Sequence, residues 1–272
     1  VGQYQSRFKG SGLNFTELRE YSPGDDIRRI DWKASARSQR VYVKSYEEER
    51  CLNILTCLDI SSSFLHCLTP LYHQYAIECL ATLAYLARAS NDEFGILLFS
   101  DEVHTILSPA SSRVHWNRAT KLLLSLHNFN NRLLQEPKQT DLKCISKTVS
   151  QILKHPSILY LVSDFIFKDK TSISNTLKSL RGRHKVICVH ICPQIDHWLP
   201  KTGLTRIVDA EDGRERIIDC SSTKIRSFLS NQQAQDNKLV AELCKKNGAS
   251  YIQITTDVAK AISNFLCNTQ NL

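Results

Sequence analysis

The chain has 272 residues, 42% of them hydrophobic, which is enough apolar material for one large α/β domain or two small ones and excludes disorder of the whole. A net charge of +8 raises nucleic acid as a partner, but apart from a run such as Lys245-Lys246 the basic residues are scattered, at Lys143, Lys154, Arg181 and Lys185 for example, and read as solvated faces. No apolar run approaches the roughly 18 residues that span a bilayer: the best, Ala76 to Ala89, is broken by Glu78 and Arg88, while the start at Val1 and the lack of any Met leave an upstream anchor open.

Residues 1–50 are punctuated by Gly10, Gly12, Pro23 and Gly24 and are dense in charge and aromatics, which predicts an extended arm rather than a core. Arg19, Arg28, Arg29 and Arg37 alternate there with Glu17, Glu20, Asp25 and Asp31, and arginine forks pair bidentately with carboxylates. Such a network is expected to staple the arm to the following domain. The competing reading makes the arm a docking surface, with Tyr21 and Trp32 as aromatic anchors beside Arg28 and Arg37.

From residue 51 onward, apolar runs at Leu52 to Leu58, Phe94 to Phe99, Ile158 to Ser163, Val186 to Ile191 and Tyr251 to Ile254 predict strands. They are nearly continuous rather than alternating, the pattern of parallel strands buried on both faces. Helical stripes separate them: Ile77, Leu80, Ala84 and Ala87 within His73 to Ala89; Leu142, Ile145, Val149, Ile152 and Leu153; and Leu239 to Lys246, which stops at Asn247-Gly248. The turn Ser100-Asp101-Glu102 is too short for a crossover helix, so Phe94 to Leu107 is read as a hairpin that adds an antiparallel edge strand. Residues 193–230, with Pro200, Gly203 and Asp212-Gly213, predict a small hairpin insertion. The expected fold is α/β, a doubly wound and mostly parallel sheet over residues 51–272.

The ten cysteines contain no Cys-x-x-Cys pair and read as free thiols, with Cys57, Cys188 and Cys192 as small buried hydrophobes; this usage fits a reducing cytosol, and the expected location is cytoplasmic. His190, inside a strand, reads as a satisfied core residue.

Ligand sites of doubly wound sheets lie beyond the carboxyl ends of the strands. The first strand ends in Asp59-Ile60-Ser61-Ser62-Ser63, the strand Ile158 to Ser163 delivers Asp164 to the same edge, and Thr140 stands just before a helix expected to begin near Asp141. Side-chain oxygens of Asp59, Ser61, Ser63, Thr140 and Asp164 would thus converge from separate loops. Hard divalent cations favour such ligands, and with two carboxylates in the set the ion keeps positive charge and an exchangeable position, which a carboxylate from another molecule would fill. Mg²⁺ is the expected ion, with Mn²⁺ and Ca²⁺ as alternatives.

This arrangement resembles the metal-ion-dependent adhesion site of von Willebrand factor A domains, in which an Asp-x-Ser-x-Ser loop, a Thr and a later Asp hold the metal. Many members of that family have Gly after the last Asp, where Phe165 stands here. The run Gly24-Asp25-Asp26-Ile27-Arg28-Arg29-Ile30-Asp31-Trp32-Lys33-Ala34-Ser35-Ala36-Arg37, preceded by Arg19-Glu20-Tyr21, is similar to the signature of the bacterial domain of unknown function 58 proteins. These carry it ahead of a von Willebrand factor A-like fold. Leu199-Pro200 and the Asp212-Gly213 hairpin extend the likeness over nearly the whole chain. The resemblance implies a MoxR-type AAA+ ATPase, or its client, as the protein partner and a chaperone-like role in assembly or regulation.

Catalysis is the weaker expectation. Asp59 is placed to act as an aspartyl nucleophile in metal-assisted phosphoryl transfer, yet Ser61 replaces the second acid that haloacid-dehalogenase-like enzymes carry, and no phosphate loop, His-Glu-x-x-His or Gly-x-Ser-x-Gly motif occurs. A metal-dependent hydrolase and a basic nucleic-acid-binding domain are the alternatives to an interaction module.

Overall fold

The computed structural model describes residues 13–38, 40–48, 51–61, 71–127, 142–166, 170–194, 199–201, 203–208 and 215–269. The chain divides into two compact units, Val1–Cys51 and Leu52–Leu272.

The first unit holds more structure than the extended arm expected of it. Strands β1 (Leu13–Glu20) and β2 (Tyr42–Glu48) form an antiparallel pair, with a 3-10 turn at Ile27–Arg29 and helix α1 (Trp32–Ser38) between them. Aspartates make these short elements stable. Asp26 caps the turn by accepting the Arg28 N–H at 3.0 Å, and Asp31 accepts the Lys33 and Ala34 N–H groups, each at 3.0 Å, at the start of α1. The Asp31 N–H then donates to the Tyr42 carbonyl at 2.9 Å and the Ser35 hydroxyl accepts from the Tyr42 N–H at 2.9 Å, which ties the helix to β2. The prediction missed this because capping by side chains leaves no periodic apolar trace.

The second unit is the expected doubly wound sheet. Its strands are β3 (Asn53–Asp59), β4 (Glu93–Phe99), β5 (Val103–Ala110), β6 (Ile158–Ser163), β7 (Lys185–Ile191) and β10 (Ser250–Ile254), in the order β10-β7-β6-β3-β4-β5, with only β5 antiparallel. The pleat sends alternate residues to opposite faces, so each central strand must be apolar throughout. On one face Ile54, Leu58, Ile96 and Val162 meet α2 (Leu71–Ala89), α3 (Arg113–His127) and α7 (Val258–Thr269). On the other, Leu55, Cys57, Leu97 and Leu161 meet α4 (Lys143–Ile152), α5 (Lys170–Arg181) and α6 (Thr223–Lys246).

Two boundaries differ from the prediction. Helix α6 begins at Thr223, inside the stretch read as insertion, and runs for 24 residues. Its first turns carry Ile225, Phe228 and Leu229 at helical spacing, with Phe228 66% exposed. The insertion itself contains the hairpin β8 (Leu204–Val208) and β9 (Glu215–Asp219), whose Ile218 packs with Leu199, Cys220 and Leu229 of α6 in a small satellite core. The cysteines among the described residues are free, and burial pushes the Cys57 thiol up to about 12. His190 is buried against Tyr251, its Nδ1 lying 2.8 Å from the phenol oxygen.

Gly95 sits where β4 and β5 approach most closely. A Cβ there would lie 2.7 Å from the Leu107 carbonyl oxygen and 2.8 Å from the Pro109 nitrogen, both backbone atoms that cannot rotate away. The ladder already shifts register between Phe94 and Ile96. Gly95→Ala is therefore expected to destabilise the protein by about 1–3 kcal/mol through overpacking, measured by urea unfolding, with an unchanged midpoint arguing that β5 is free to shift outward.

Candidate metal-ion site at the carboxyl edge of the sheet

β3 is flanked by β4 on one side and β6 on the other. From β3 the chain crosses to β4 through α2 on one face, whereas from β6 it crosses to β7 through α5 on the opposite face. Right-handed crossovers running in opposite directions along a sheet require this, and they open a crevice between the diverging connections. β3 and β6 therefore flank the switch point, and their last residues are Asp59 and Ser163.

The Asp59 side chain is held between its own loop and the neighbouring strand. Oδ1 accepts the Ser61 N–H at 2.9 Å, an Asx-type turn that bends the chain after β3, and Oδ2 accepts the Ser163 hydroxyl at 2.7 Å across 104 residues of sequence. Asp59 and Ser163 have no exposed surface, and Ser61 and Asp164 are buried as well. Ser163 in turn accepts the Phe165 N–H at 3.0 Å, and Asp164 Oδ1 accepts the Ile166 N–H at 3.0 Å.

Phe165, which replaces the glycine common at this position, has φ +54°, in the left-handed region where a side chain costs about 1–2 kcal/mol. Two contacts compensate. The Ser163 bond holds its amide, and its ring is buried edge-to-face on His190 at a centroid separation of 5.7 Å. The loop thus keeps a glycine-like path with an aromatic in place.

Of the five expected ligands, Asp59 and Ser61 lie at the end of β3 and Asp164 follows the end of β6, while Ser63 and Thr140 lie outside the described residues. Helix α4 starts at Lys143, with Leu142 at its N-cap position and no side-chain cap bond, so the expected start near Asp141 is two residues early. Among the described residues no group of three or more His, Cys, Asp or Glu side chains could hold an ion. The donor set is one of hard oxygens, two carboxylates and a serine, which fits Mg²⁺ or Mn²⁺ provided that hydroxyls complete the shell. Ser163 and His190 are the residues that sequence reasoning passed over as site components. The strand register, which sets Leu58 opposite Val162, was the missing signal for Ser163.

The other predicted contact residues belong to the first unit. Trp32 is 67% exposed and Arg28 and Arg37 are exposed, while Tyr21 is half-buried and its N–H donates to the Val41 carbonyl at 2.8 Å. The carboxylates of the motif are used inside the unit: Arg19 Nη1 donates to Asp25 at 2.8 Å, Arg40 pairs with Glu20, and Lys44 lies 3.5 Å from Asp31. The Arg19 guanidinium holds the Asp25 carboxyl below its usual range. What the motif leaves outward is an indole and basic groups.

A family model described as "Protein of unknown function DUF58" matches residues 17–239. The chain belongs to that family. An uncharacterized protein from Mycobacterium tuberculosis is 24% identical over 94% of this chain and 78% of its own length. Among solved structures, an aerotolerance-related membrane protein from Bacteroides fragilis is 13% identical, with a TM-score of 0.53 over 81% of this chain and 100% of that one. The SpRpn10 VWA domain matches at 10% identity and a TM-score of 0.41, over 78% and 95% of the two chains. The likeness to the aerotolerance-related protein shows that the two chains share a fold. No helix among the described residues of the DUF58 chain is long and apolar enough to cross a membrane.

The His190 ring connects this edge to the core, hydrogen-bonding the Asp164 backbone as well as approaching Tyr251. Burial, opposed by the bond to Asp164, lowers the imidazole to about 4. An unfolded histidine titrates near 6.5, so between about 6.5 and 4 the unfolded chain takes up a proton that the folded chain refuses. Stability then falls as pH falls through that window, by on the order of 3 kcal/mol for this residue. His73 and His184, also lowered by burial, add to the slope. Thermal unfolding from pH 7 to pH 4 is expected to show a shallower decline in His190→Gln than in the parent.

Proposed function

We propose that this DUF58 protein is a metal-dependent protein-interaction module, and not an enzyme, in which Asp59, Ser61, Ser63, Thr140 and Asp164 hold a divalent cation, Mg²⁺ in the first instance. The observation that carries the reading is the bond between Ser163 and Asp59, which ties the ends of β3 and β6 at the switch point, with Asp164 the residue that follows Ser163. A cation held there supplies a positive centre that accepts one more oxygen ligand. The chain's own residues present that centre: Ser61 and Ser163 orient the Asp59 carboxylate, and the Phe165 turn orients Asp164. A carboxylate side chain on the partner completes the contact. The family likeness of the Asp25-to-Arg37 motif supports a MoxR-type AAA+ ATPase, or its client, as that partner, in assembly or regulation.

Saturating Mg²⁺ or Mn²⁺, at about 100 times the dissociation constant, is expected to stabilise the folded protein by roughly 2.7 kcal/mol, and so to raise Tm by several degrees. Asp59→Asn, which nearly preserves the side-chain shape, is expected to abolish the shift. An equal shift in parent and variant would place the cation elsewhere. Recovery of an AAA+ ATPase from extract is expected to fail with chelator and with Asp59→Asn; recovery indifferent to both would move the contact to the outward face of the first unit. Turnover of a generic phosphate ester, lost in Asp59→Asn, would replace the proposal with a hydrolase.

A further inference from the structure

Beside the candidate cation site a cleft of about 930 Å³ runs across the carboxyl ends of β6 and β7 to helix α6. Asp164 and Phe165 line one end. α6 forms the long wall with Leu229, Gln233, Asp236, Val240 and Leu243, a 4-3-4-3 spacing that places one continuous stripe of the helix on the cleft, and its C-cap Asn247 extends the wall. Two bonds fix that wall: Gln233 donates to the Pro193 carbonyl at 2.9 Å, and Ser174 of α5 donates to Asn247 Oδ1 at 2.7 Å. The cleft is thus a built feature of the second unit and not a gap between loose helices.

Its lining identifies what it accommodates. The floor and walls are mostly apolar, and two of the lining side chains are left largely in water, Ile166 at 59% and Leu239 at 48% exposure. Aliphatic groups held open at the mouth of a cleft mark a surface that is completed by another molecule. The charged residues of the lining are Asp164, Asp236, Glu242 and Lys246, an excess of acid in a chain whose net charge is +8. Among the described residues neither Asp236 nor Glu242 forms an ion pair, so a cation brought by the occupant would meet them. The volume is at the upper end of the roughly 300–1,000 Å³ of small-ligand pockets, and the exposure of Ile166 and Leu239 in its lining favours a chain segment over an enclosed metabolite.

We infer that this cleft binds a peptide segment of a partner protein, one that inserts apolar side chains along the α6 stripe and sets a Lys or Arg against Asp236 and Glu242. Because Asp164 belongs to both sites, an acidic residue of the same segment reaches the cation; this last element alone rests on the metal-dependent reading given above. Specificity then comes from the order acidic, apolar, basic along the partner segment, where the cation alone would accept any exposed carboxylate.

The test is selection of a random 12-residue peptide display library on the full 272-residue chain in Mg²⁺. Enriched peptides are expected to combine apolar residues with Lys or Arg on one side and Asp or Glu on the other. Ile166→Glu and Leu239→Glu, both at exposed positions and checked for unchanged thermal unfolding, are expected to weaken the enriched peptides at least about tenfold, the effect of losing one well-packed anchor. Asp236→Lys is expected to reverse the preference from basic to acidic at the matching peptide position. Failure to enrich any peptide, or peptides that bind Ile166→Glu and Leu239→Glu as tightly as the parent, overturns the inference. Peptides that depend on an acidic residue and on Asp59 but ignore the cleft substitutions overturn it while leaving the metal-dependent reading intact. Peptides that depend on the cleft but are indifferent to chelator and to Asp59→Asn support the cleft and sink the metal-dependent reading.

Discussion

The contact between Ser163 and Asp59 concentrates what is distinctive in this molecule. It is a hydrogen bond from a neutral hydroxyl to a carboxylate with no exposed surface, made between the last residues of two adjacent parallel strands. Burying a carboxylate is costly unless its oxygens are satisfied. Here they are met by groups that also shape the loops, the Ser61 amide on one side and the Ser163 hydroxyl on the other. The bonds that keep the charge in the fold are the same bonds that decide where the loops go. Hydrogen bonds that already satisfy a side chain lower the ordering cost of any contact it makes.

The surrounding architecture follows from the winding of the sheet. α2, α3 and α7 cover one face and α4, α5 and α6 the other, and the direction of winding changes between β3 and β6. Two different features use the carboxyl edge of the sheet. One is the oxygen-rich cluster at Asp59 and Asp164, the other the apolar cleft walled by α6. Phe165 stands between them, since it follows Asp164 in a left-handed turn while its ring packs on His190, which also lines the cleft.

The first unit obeys a different logic. It has little apolar core among its described residues, and its order comes from aspartates that cap a 3-10 turn and a seven-residue helix and from arginine–carboxylate pairs. Exposed ion pairs contribute little each, so the caps and the strand pairing carry the geometry. Asp25, Asp26 and Asp31 of the signature run are thereby explained as structural, whereas the exposed Trp32, Arg28 and Arg37 are not needed by the unit's own fold. That division makes the outward residues the part of the motif open to partners.

The chain's local pattern determined much of this. Strands buried on both faces need unbroken apolar runs, and partition from water alone makes such runs visible at Leu52 to Leu58 or Val186 to Ile191, with an aspartate marking where two of them stop. The short polar helix α1 was not visible, because it is held by the Asp31 cap and by its bonds to β2, and the start of α6 was not, because its Leu229 packs on Leu199, Cys220 and Ile218 of the insertion. The neighbours of each strand, the bond between residues 59 and 163, the left-handed turn at Phe165 and the cleft along α6 were decided only by the tertiary structure. The physical reason is range: hydrophobic partition acts residue by residue and is written in composition, whereas strand order and side-chain pairing come from the simultaneous packing of segments a hundred residues apart.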